Sequence, residues 1–143
     1  MKIRICPKTN ADLSFLLEDS AQEVIPIYGF VSAAKGVYAQ GCMLKGGFLV
    51  LAESLAAKTI NRKLTMAHKK LREKLIENDV LKGSGDCLKF TRPFLFKSEY
   101  EATSVIIGNN KFRVYDGIWT DQQRRTPLEN QLIGMSELEI KDI

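Results

Sequence analysis

The sequence predicts a single α+β domain, in which an antiparallel β-sheet is covered by two or three helices. Three β-type runs follow one another between residues 25 and 57, and a pair of glycines separates the second run from the third. Beyond residue 65, two segments with apolar residues at helical spacing flank a second β-type region. The 143 residues suffice for one domain with a real core, but not comfortably for two.

The first 24 residues form an N-terminal extension to this pattern. The segment KIRIC alternates Ile3 and Ile5 with Lys2 and Arg4, and this period of two predicts a short strand. Pro7 follows closely, which favours the edge of a sheet because proline cannot donate a hydrogen bond to a neighbouring strand.

The three central runs predict a three-stranded antiparallel meander. Gly46 and Gly47 are a strong hairpin signal between the second and third runs. Apolar residues occupy both faces of the third run, so we expect it to be a central strand. The predicted strands are Ile25 to Val31, Gly36 to Met43, and Gly47 to Ala52, the last reaching Ala57 in its longest interpretation.

A first helix is predicted from Thr65 to Leu81, and the turn KGSGD at residues 82–86 ends it. An apolar stripe at three- and four-residue spacing predicts the face that packs on the sheet. The residues of that stripe are Ala67, Leu71, Leu75 and Ile76. The basic side chains of the same helix are expected to point largely elsewhere.

A second β-type region, Cys87 to Phe96, leads into the best-marked helix of the chain, from Ser98 to Gly108. Ser98 and Glu101 match the capping box S-x-x-E, in which the serine hydroxyl accepts from the Glu101 N–H and the carboxylate reaches back to the Ser98 N–H. Gly108 is a helix-stop signal. We expect Phe94 and Phe96 to anchor this helix, and its inward residues are Ala102, Val105 and Ile106.

The end of the chain is predicted to form a closing β-hairpin. The segment RVYDGIW reads as a strand interrupted by a turn at Asp116 and Gly117. We expect Tyr115 and Trp119 to pack in the core or the hairpin rather than to stack on bases, and Asp121 to solvate the turn. Residues 132–143 form an acidic tail, which is either a last edge strand or a frayed end.

Composition and charge narrow the class of protein. Hydrophobic residues make up 45% of the chain and charged residues 27%, which is typical of a folded globular protein and argues against disorder. The net charge of +4 permits an acidic partner such as nucleic acid without requiring one. Since no apolar run approaches the roughly 20 residues of a membrane span, we expect a cytoplasmic protein with no membrane partner.

No residue pattern points to catalysis, a cofactor or a metal. The three cysteines, Cys6, Cys42 and Cys87, are far apart and form no CxxC pair, so we expect reduced thiols. His68 is the only histidine, has no suitably spaced nucleophile beside it, and is expected to pack or to lie on the surface. We therefore predict no enzyme. The alternative, a hidden small-molecule enzyme, would need a deep pocket with a perturbed carboxylate.

The one positive functional signal is the basic run KTINRKLTMAHKKLREK, which has seven lysines and arginines against one acid, Glu73. Such a helix face could bind phosphates, which supply affinity without reading base sequence. The segment QQRRT, with Lys111 and Arg113 nearby, could extend that surface. The predicted nucleic-acid-binding residues are Lys63, Lys69, Lys70, Arg72, Lys74, Arg124 and Arg125. The alternative is an ordinary solvated helix face.

The order of these segments resembles a bacterial and archaeal family, the domain of unknown function 4357. The resemblance rests on GGFLVLAES, LREKLIENDVL, KFTRPFLFKSEYEATSVIIG and a closing tryptophan-bearing hairpin in YDGIWTDQQRRTPLEN. It covers about residues 25–131. The sequence departs from the family at Tyr100, Ala102 and Thr103, where a second serine and paired alanines are usual, and only echoes the family's asparagine-glycine phrase at residues 109–110.

The resemblance implies an accessory domain that faces nucleic acid. Such domains often follow GIY-YIG nuclease domains or occur near restriction–modification proteins. The tetrapeptide at residues 26–29 only mimics part of the nuclease signature, so a nuclease is not implied. We therefore expect a non-enzymatic DNA-binding or DNA-modification-associated domain. The competing hypothesis is a protein-interaction or homodimerisation module.

Overall fold

The computed structural model describes residues 25–33, 35–111 and 117–133, which form two antiparallel sheets and helices packed between and beside them. The strands are β1 (Tyr28–Ser32), β2 (Val37–Leu44), β3 (Gly47–Val50), β4 (Leu55–Ala57), β5 (Leu81–Ser84), β6 (Cys87–Phe90), β7 (Phe94–Phe96) and β8 (Trp119–Thr120). The helices are α1 (Met66–Glu77) and α2 (Glu99–Ile107), and residues 127–133 are also helical. The predicted first strand, the arm of the closing hairpin at residues 112–116, and most of the acidic tail lie outside the described residues. An α+β fold is confirmed.

The larger sheet contains the predicted meander. Its strand order is β7-β3-β2-β1-β8, and each neighbouring pair is antiparallel. Strand β3 lies between β2 and β7, so its predicted place inside the sheet is confirmed. Its predicted continuation to Ala57 is wrong. The chain turns at residues 52–53, where Glu53 has a φ of 73°, and resumes as β4 in the other sheet.

The smaller sheet has the order β4-β6-β5, and β5 and β6 form a hairpin that the sequence analysis did not predict, since it placed Leu81 in the first helix. The predicted helix end at Leu81 is wrong, because α1 stops at Glu77 and Leu81 opens β5. The reversal occurs at Asp79, whose φ of 60° takes it out of the helix. Val80 and Leu81 had fitted the helical period, but they are buried as residues of a turn and a strand.

Helix α2 matches its prediction closely. The Ser98 hydroxyl accepts from the Glu101 N–H at 3.1 Å, and Gly108 ends the helix with a left-handed φ of 75°. The Glu101 carboxylate accepts from the Lys97 N–H at 3.0 Å rather than from that of Ser98, so the box closes one residue earlier than expected. The predicted inward residues Ala102, Val105 and Ile106 are fully buried. Phe96 is fully buried too, whereas Phe94 is half-buried.

The main core is formed by residues of both sheets and both helices, and it includes Trp119, as predicted. The Trp119 ring centroid lies 5.1 Å from that of Phe30 and 4.6 Å from that of Phe48. Its indole Nε1 donates to Thr103 Oγ1 at 2.8 Å, so the one polar atom of the ring is satisfied. Strand β8 is thereby fastened both to β1 and to α2.

The predicted closing hairpin is wrong beyond Thr120. A turn follows, and residues 127–133 are helical. Thr126 and Glu129 form a second capping box, in which Glu129 N donates to Thr126 Oγ1 at 3.2 Å and Thr126 N donates to Glu129 Oε1 at 3.1 Å. Pro127 occupies the first helical position, where its missing N–H costs nothing. The motif T-P-L-E was therefore a readable helix signal.

Candidate nucleic-acid interface

The predicted phosphate-binding residues of α1 do not share one surface. Lys70 and Lys74 are exposed, Lys69 is half-buried, and Lys63 is exposed in the loop before the helix. Arg72 is different, since only 3% of it is accessible.

The prediction that Arg72 contacts phosphate is wrong. Its Nη1 donates to the Val105 carbonyl oxygen at 2.7 Å, and its Nη2 donates to the carbonyl oxygen of Ala57. Val105 lies in the last turn of α2, where carbonyls lack intrahelical donors and the helix dipole is negative. Desolvation lowers the Arg72 pKa from its usual range, but an arginine still stays charged there. This side chain joins α1, α2 and β4.

The buried face of α1 also differs from the predicted apolar stripe. Leu75 is buried and Leu71 is half-buried, but Ala67 and Ile76 are exposed. The buried stripe is rotated toward Arg72 because the guanidinium finds its acceptors at the end of α2 and in β4. The exposed part of α1 carries Lys69, Lys70 and Lys74 together with Glu73 and Glu77, so its charge is mixed.

The segment that leads into α1, together with the first five residues of that helix, carries a stronger net positive charge. Residues 58–70 contain five lysines and arginines and no acid, and Lys111 lies in a loop bonded to the same segment. We call this set the basic loop surface. Its members are Lys58, Arg62, Lys63, Lys69, Lys70 and Lys111, of which all but Lys69 are exposed.

The loop that carries this surface is held against the end of α2. Leu64 is buried, and the Asn61 N–H donates to the Gly108 carbonyl oxygen at 2.7 Å. A Cβ atom on Gly108 would lie 2.9 Å from the Thr59 carbonyl oxygen. Only glycine thus allows both the left-handed end of α2 and the close approach of this loop.

Asn110 joins the loop to both helices. Its Oδ1 accepts from the Thr65 N–H at 2.6 Å, and its Nδ2 lies 2.6 Å from His68 Nδ1 and 3.2 Å from Ser104 Oγ. The Tyr100 hydroxyl donates to the Asn110 carbonyl oxygen at 3.0 Å. His68 therefore packs between helices, as predicted.

The start of α1 adds to the positive potential of the basic loop surface. Thr65 is the N-cap residue, but its side chain makes no capping hydrogen bond, and no acid lies in the first turn. The positive end of the helix dipole is thus not compensated locally. Together, the loop and the helix start present cations and a positive dipole end on rigid backbone.

Arg124 and Arg125 belong to a different part of the molecule, the turn after edge strand β8. Asp121 organises this turn, since its Oδ1 accepts from Gln123 N and Arg125 N at 2.9 Å each. A further hydrogen bond from Asn130 to its Oδ2 and the turn N–H groups lower the pKa of Asp121. The ionised carboxylate offsets part of the positive charge of the two arginines. Asp121 also organises the turn through its hydrogen bonds, which is a larger role than the predicted solvation.

The thiols and carboxylates of the described residues do not converge on a reactive site. Burial raises the pKa of the Cys42 thiol to about 12, so Cys42 stays protonated, and Cys87 is also a buried free thiol. Burial likewise raises the pKa of Tyr28 and of Glu99. Within residues 25–33, 35–111 and 117–133, no group of three or more metal-ligating side chains forms. None of the helices in these ranges is long and apolar enough to span a bilayer.

The chain matches one family model, described as "Domain of unknown function (DUF4357)", over residues 30–127. That match covers more than half of the sequence. The chain belongs to the DUF4357 family. Neither the curated proteins nor the solved structures give a match. In this DUF4357 domain the matched region contains both sheets, α1 and α2, and it ends where the last helical segment begins.

Sequence reasoning missed the part played by two regions of this DUF4357 domain. Lys58 and Arg62 belong to the basic run but were not predicted as contacts, because the prediction rested mainly on the charged face of the helix and these two residues lie in the loop before it. Asn110 gave no signal beyond its role as a helix-stop neighbour, since its partners Thr65 and His68 are 45 and 42 residues away in sequence.

Proposed function

We propose that this DUF4357 domain is a non-enzymatic accessory module that binds DNA through the basic loop surface. The observation that carries the proposal is the acid-free run of residues 58–70 together with Lys111, on a loop fixed to the ends of both helices. We further propose that the domain works in the cytoplasm, next to DNA-modifying or restriction proteins.

The chemistry of this surface suits the sugar–phosphate backbone rather than base edges. Lysine ammonium groups on a loop give point charges, which attract phosphates without a fixed hydrogen-bond pattern. Each neutralised phosphate contributes about 0.9 to the slope of log affinity against log salt concentration. A duplex bound through four to six such contacts would therefore dissociate steeply as salt rises.

The test is a titration of a short fluorescent duplex by anisotropy at low and at moderate salt. The loop variant removes Arg62, Lys63, Lys69 and Lys70 by substitution with alanine. A matched control removes four exposed lysines elsewhere, Lys35, Lys45, Lys82 and Lys97, so both variants have the same net charge. We expect the loop variant to lose binding and the control to keep most of it.

Two results would overturn the proposal. One is an absence of duplex binding by the native chain even at low salt. The other is a loop variant whose duplex affinity is weakened no more than that of the matched control, since binding would then depend on net charge or on another part of the molecule rather than on this surface.

One observation favours a protein-interaction module as the second candidate. On the helical segment 127–133, Leu128 and Leu132 are spaced by four residues and are 63% and 53% exposed. Light scattering of the native chain and of a Leu128→Ser/Leu132→Ser variant tests it. A dimer that the variant converts to monomer, without duplex binding, would support this candidate.

A further inference from the structure

A groove opens between helix α1 and strand β7, and none of its lining residues belongs to the basic loop surface. It encloses about 390 Å³, a volume within the range typical of small-molecule sites. Most of its wall is apolar. Leu71 and Leu75 contribute from α1, Val80 from the turn after that helix, and Phe94 from β7.

Two cations share this apolar wall. Lys74 and Arg92 both line the groove, and the other polar lining residue is Asn78. None of the described residues that line it carries a carboxylate. Among the residues that the structure describes, neither cation forms an ion pair, and Arg92 makes only a long 3.5 Å hydrogen bond from Nη2 to the Asn78 carbonyl oxygen. Positive charges that share an apolar wall without a counterion favour the binding of an anion.

The backbone around the groove is preformed. The Val80 N–H donates to the Leu75 carbonyl oxygen, and the Thr91 N–H donates to that of Val80, both at 2.8 Å. The Thr91 hydroxyl donates to the Asp79 carbonyl oxygen at 2.6 Å, and Asn78 Nδ2 donates to the Lys74 carbonyl oxygen at 2.9 Å. These bonds hold the end of α1, the turn and the segment before β7 in one arrangement, so a ligand need not order them.

We propose that this groove binds a small organic anion with an apolar body, such as an aliphatic or aromatic carboxylate. The apolar body would lie against Leu71, Leu75 and Phe94, and its carboxylate would accept from Lys74 and Arg92. An inorganic anion alone would leave the apolar wall unused, and a neutral apolar molecule would leave the cations unpaired. This site is separate from the proposed DNA function, and it assigns Lys74 to the groove rather than to nucleic acid.

Two fluorescent probes test the proposal, namely 1-anilinonaphthalene-8-sulfonate and its uncharged analogue N-phenyl-1-naphthylamine. We expect the native chain to bind the sulfonate and a Lys74→Ala/Arg92→Ala variant to bind it about tenfold more weakly, since charge-assisted hydrogen bonds are lost. A Lys45→Ala/Lys82→Ala variant, with the same charge, should bind it as the native chain does. Decanoate should displace the sulfonate, whereas decanol should not.

Amide chemical shifts in a titration with decanoate locate the site. Changes confined to residues 71–80 and 92–94 would support the proposal. No sulfonate binding, equal binding by native chain and groove variant, or shift changes elsewhere on the surface would each overturn it. Loss of duplex binding in the groove variant would overturn it as well, because the groove cations would then belong to the nucleic-acid surface. The proposed DNA function fails by a different result, the unchanged duplex affinity of the loop variant.

Discussion

Helices α1 and α2 lie side by side, yet they are built on different principles. Helix α2 buries six consecutive residues, Ala102 to Ile107, so it is enclosed on nearly all sides. Helix α1 fully buries only Arg72 and Leu75, with Leu71 half-buried against the core, and most of its other side chains are exposed. Helix α2 is therefore a core element whose ends are defined by its caps. Helix α1 covers the core and is fixed by one buried cation, Arg72.

The difference explains which prediction succeeded. The limits of α2 depend on local chemistry, because Ser98 and Gly108 act through backbone groups only a few residues away. The orientation of α1 depends on Arg72, whose acceptors lie 33 and 15 residues away in sequence. Arginine is almost never fully buried unless it is paired, so nothing in the local sequence around Arg72 indicates this role.

The largest expected effect comes from removing Arg72, the buried cation that fixes α1. Arg72→Ala leaves the carbonyl oxygens of Val105 and Ala57 without a donor and opens a cavity, so we expect the free energy of unfolding to fall by about 3 kcal/mol. Arg72→Met, which keeps most of the volume, should cost less. Urea denaturation followed by circular dichroism measures both.

The matched control is Lys70→Ala, a cation removed from the exposed side of the same helix. We expect it to change stability by less than about 0.5 kcal/mol. If Arg72→Ala unfolded no more easily than this control, the buried arrangement of the guanidinium would be wrong and the original surface assignment would return.

The second prediction concerns the glycine shared by α2 and the basic loop. Gly108→Ala forces a side chain into a left-handed φ of 75° and places Cβ 2.9 Å from the Thr59 carbonyl oxygen. We expect a loss of about 2 kcal/mol, measured by urea denaturation. The substitution Gly36→Ala is a fair control, because Gly36 also has a positive φ, of 65°, but open space around its Cβ. Equal losses at the two sites would show that loop packing contributes nothing.

Much of the fold could be predicted from the sequence, and the features that could not be predicted depend on contacts between residues far apart in the chain or on the conformation of a single residue. Glycine pairs, capping residues and alternation act over a few residues, and they revealed the meander and α2. The end of α1 was missed because Val80 and Leu81 continue the helical period, while the left-handed Asp79 that stops it is an unremarkable residue in sequence. The candidate surface was predicted only in part. The basic run is visible as charge in the sequence, but the burial of Arg72 within it is not.

The N-caps of the two helices give a third and finer contrast. Ser98→Ala removes the hydrogen bond to the Glu101 N–H and should cost about 1 kcal/mol. Thr65→Ala should cost almost nothing through capping, because the Thr65 side chain makes no capping bond. Thermal unfolding of both variants measures the difference. A loss at Thr65 as large as that at Ser98 would contradict the contrast.

The smallest expected effect concerns Glu99, in the first turn of α2. Desolvation raises its pKa in the folded state, so the folded protein binds the proton more tightly than the unfolded chain does. Stability contributed by this group is therefore highest below the unfolded pKa of about 4.3 and falls as pH rises through the folded pKa. At neutral pH the ionised carboxylate is a net cost, reduced by its partial exposure to solvent.

Glu99→Gln should remove that pH dependence. We expect the variant to match the native chain at pH 3 and to exceed its free energy of unfolding by up to about 0.5 kcal/mol at pH 7. Urea denaturation at a series of pH values measures the difference between the two. A variant less stable than the native chain at neutral pH would show that attraction of the carboxylate to the start of α2 outweighs desolvation. The sign of this change in the free energy of unfolding shows what an acid in the first turn contributes to α2, a contribution that α1 lacks because its first turn carries no acid.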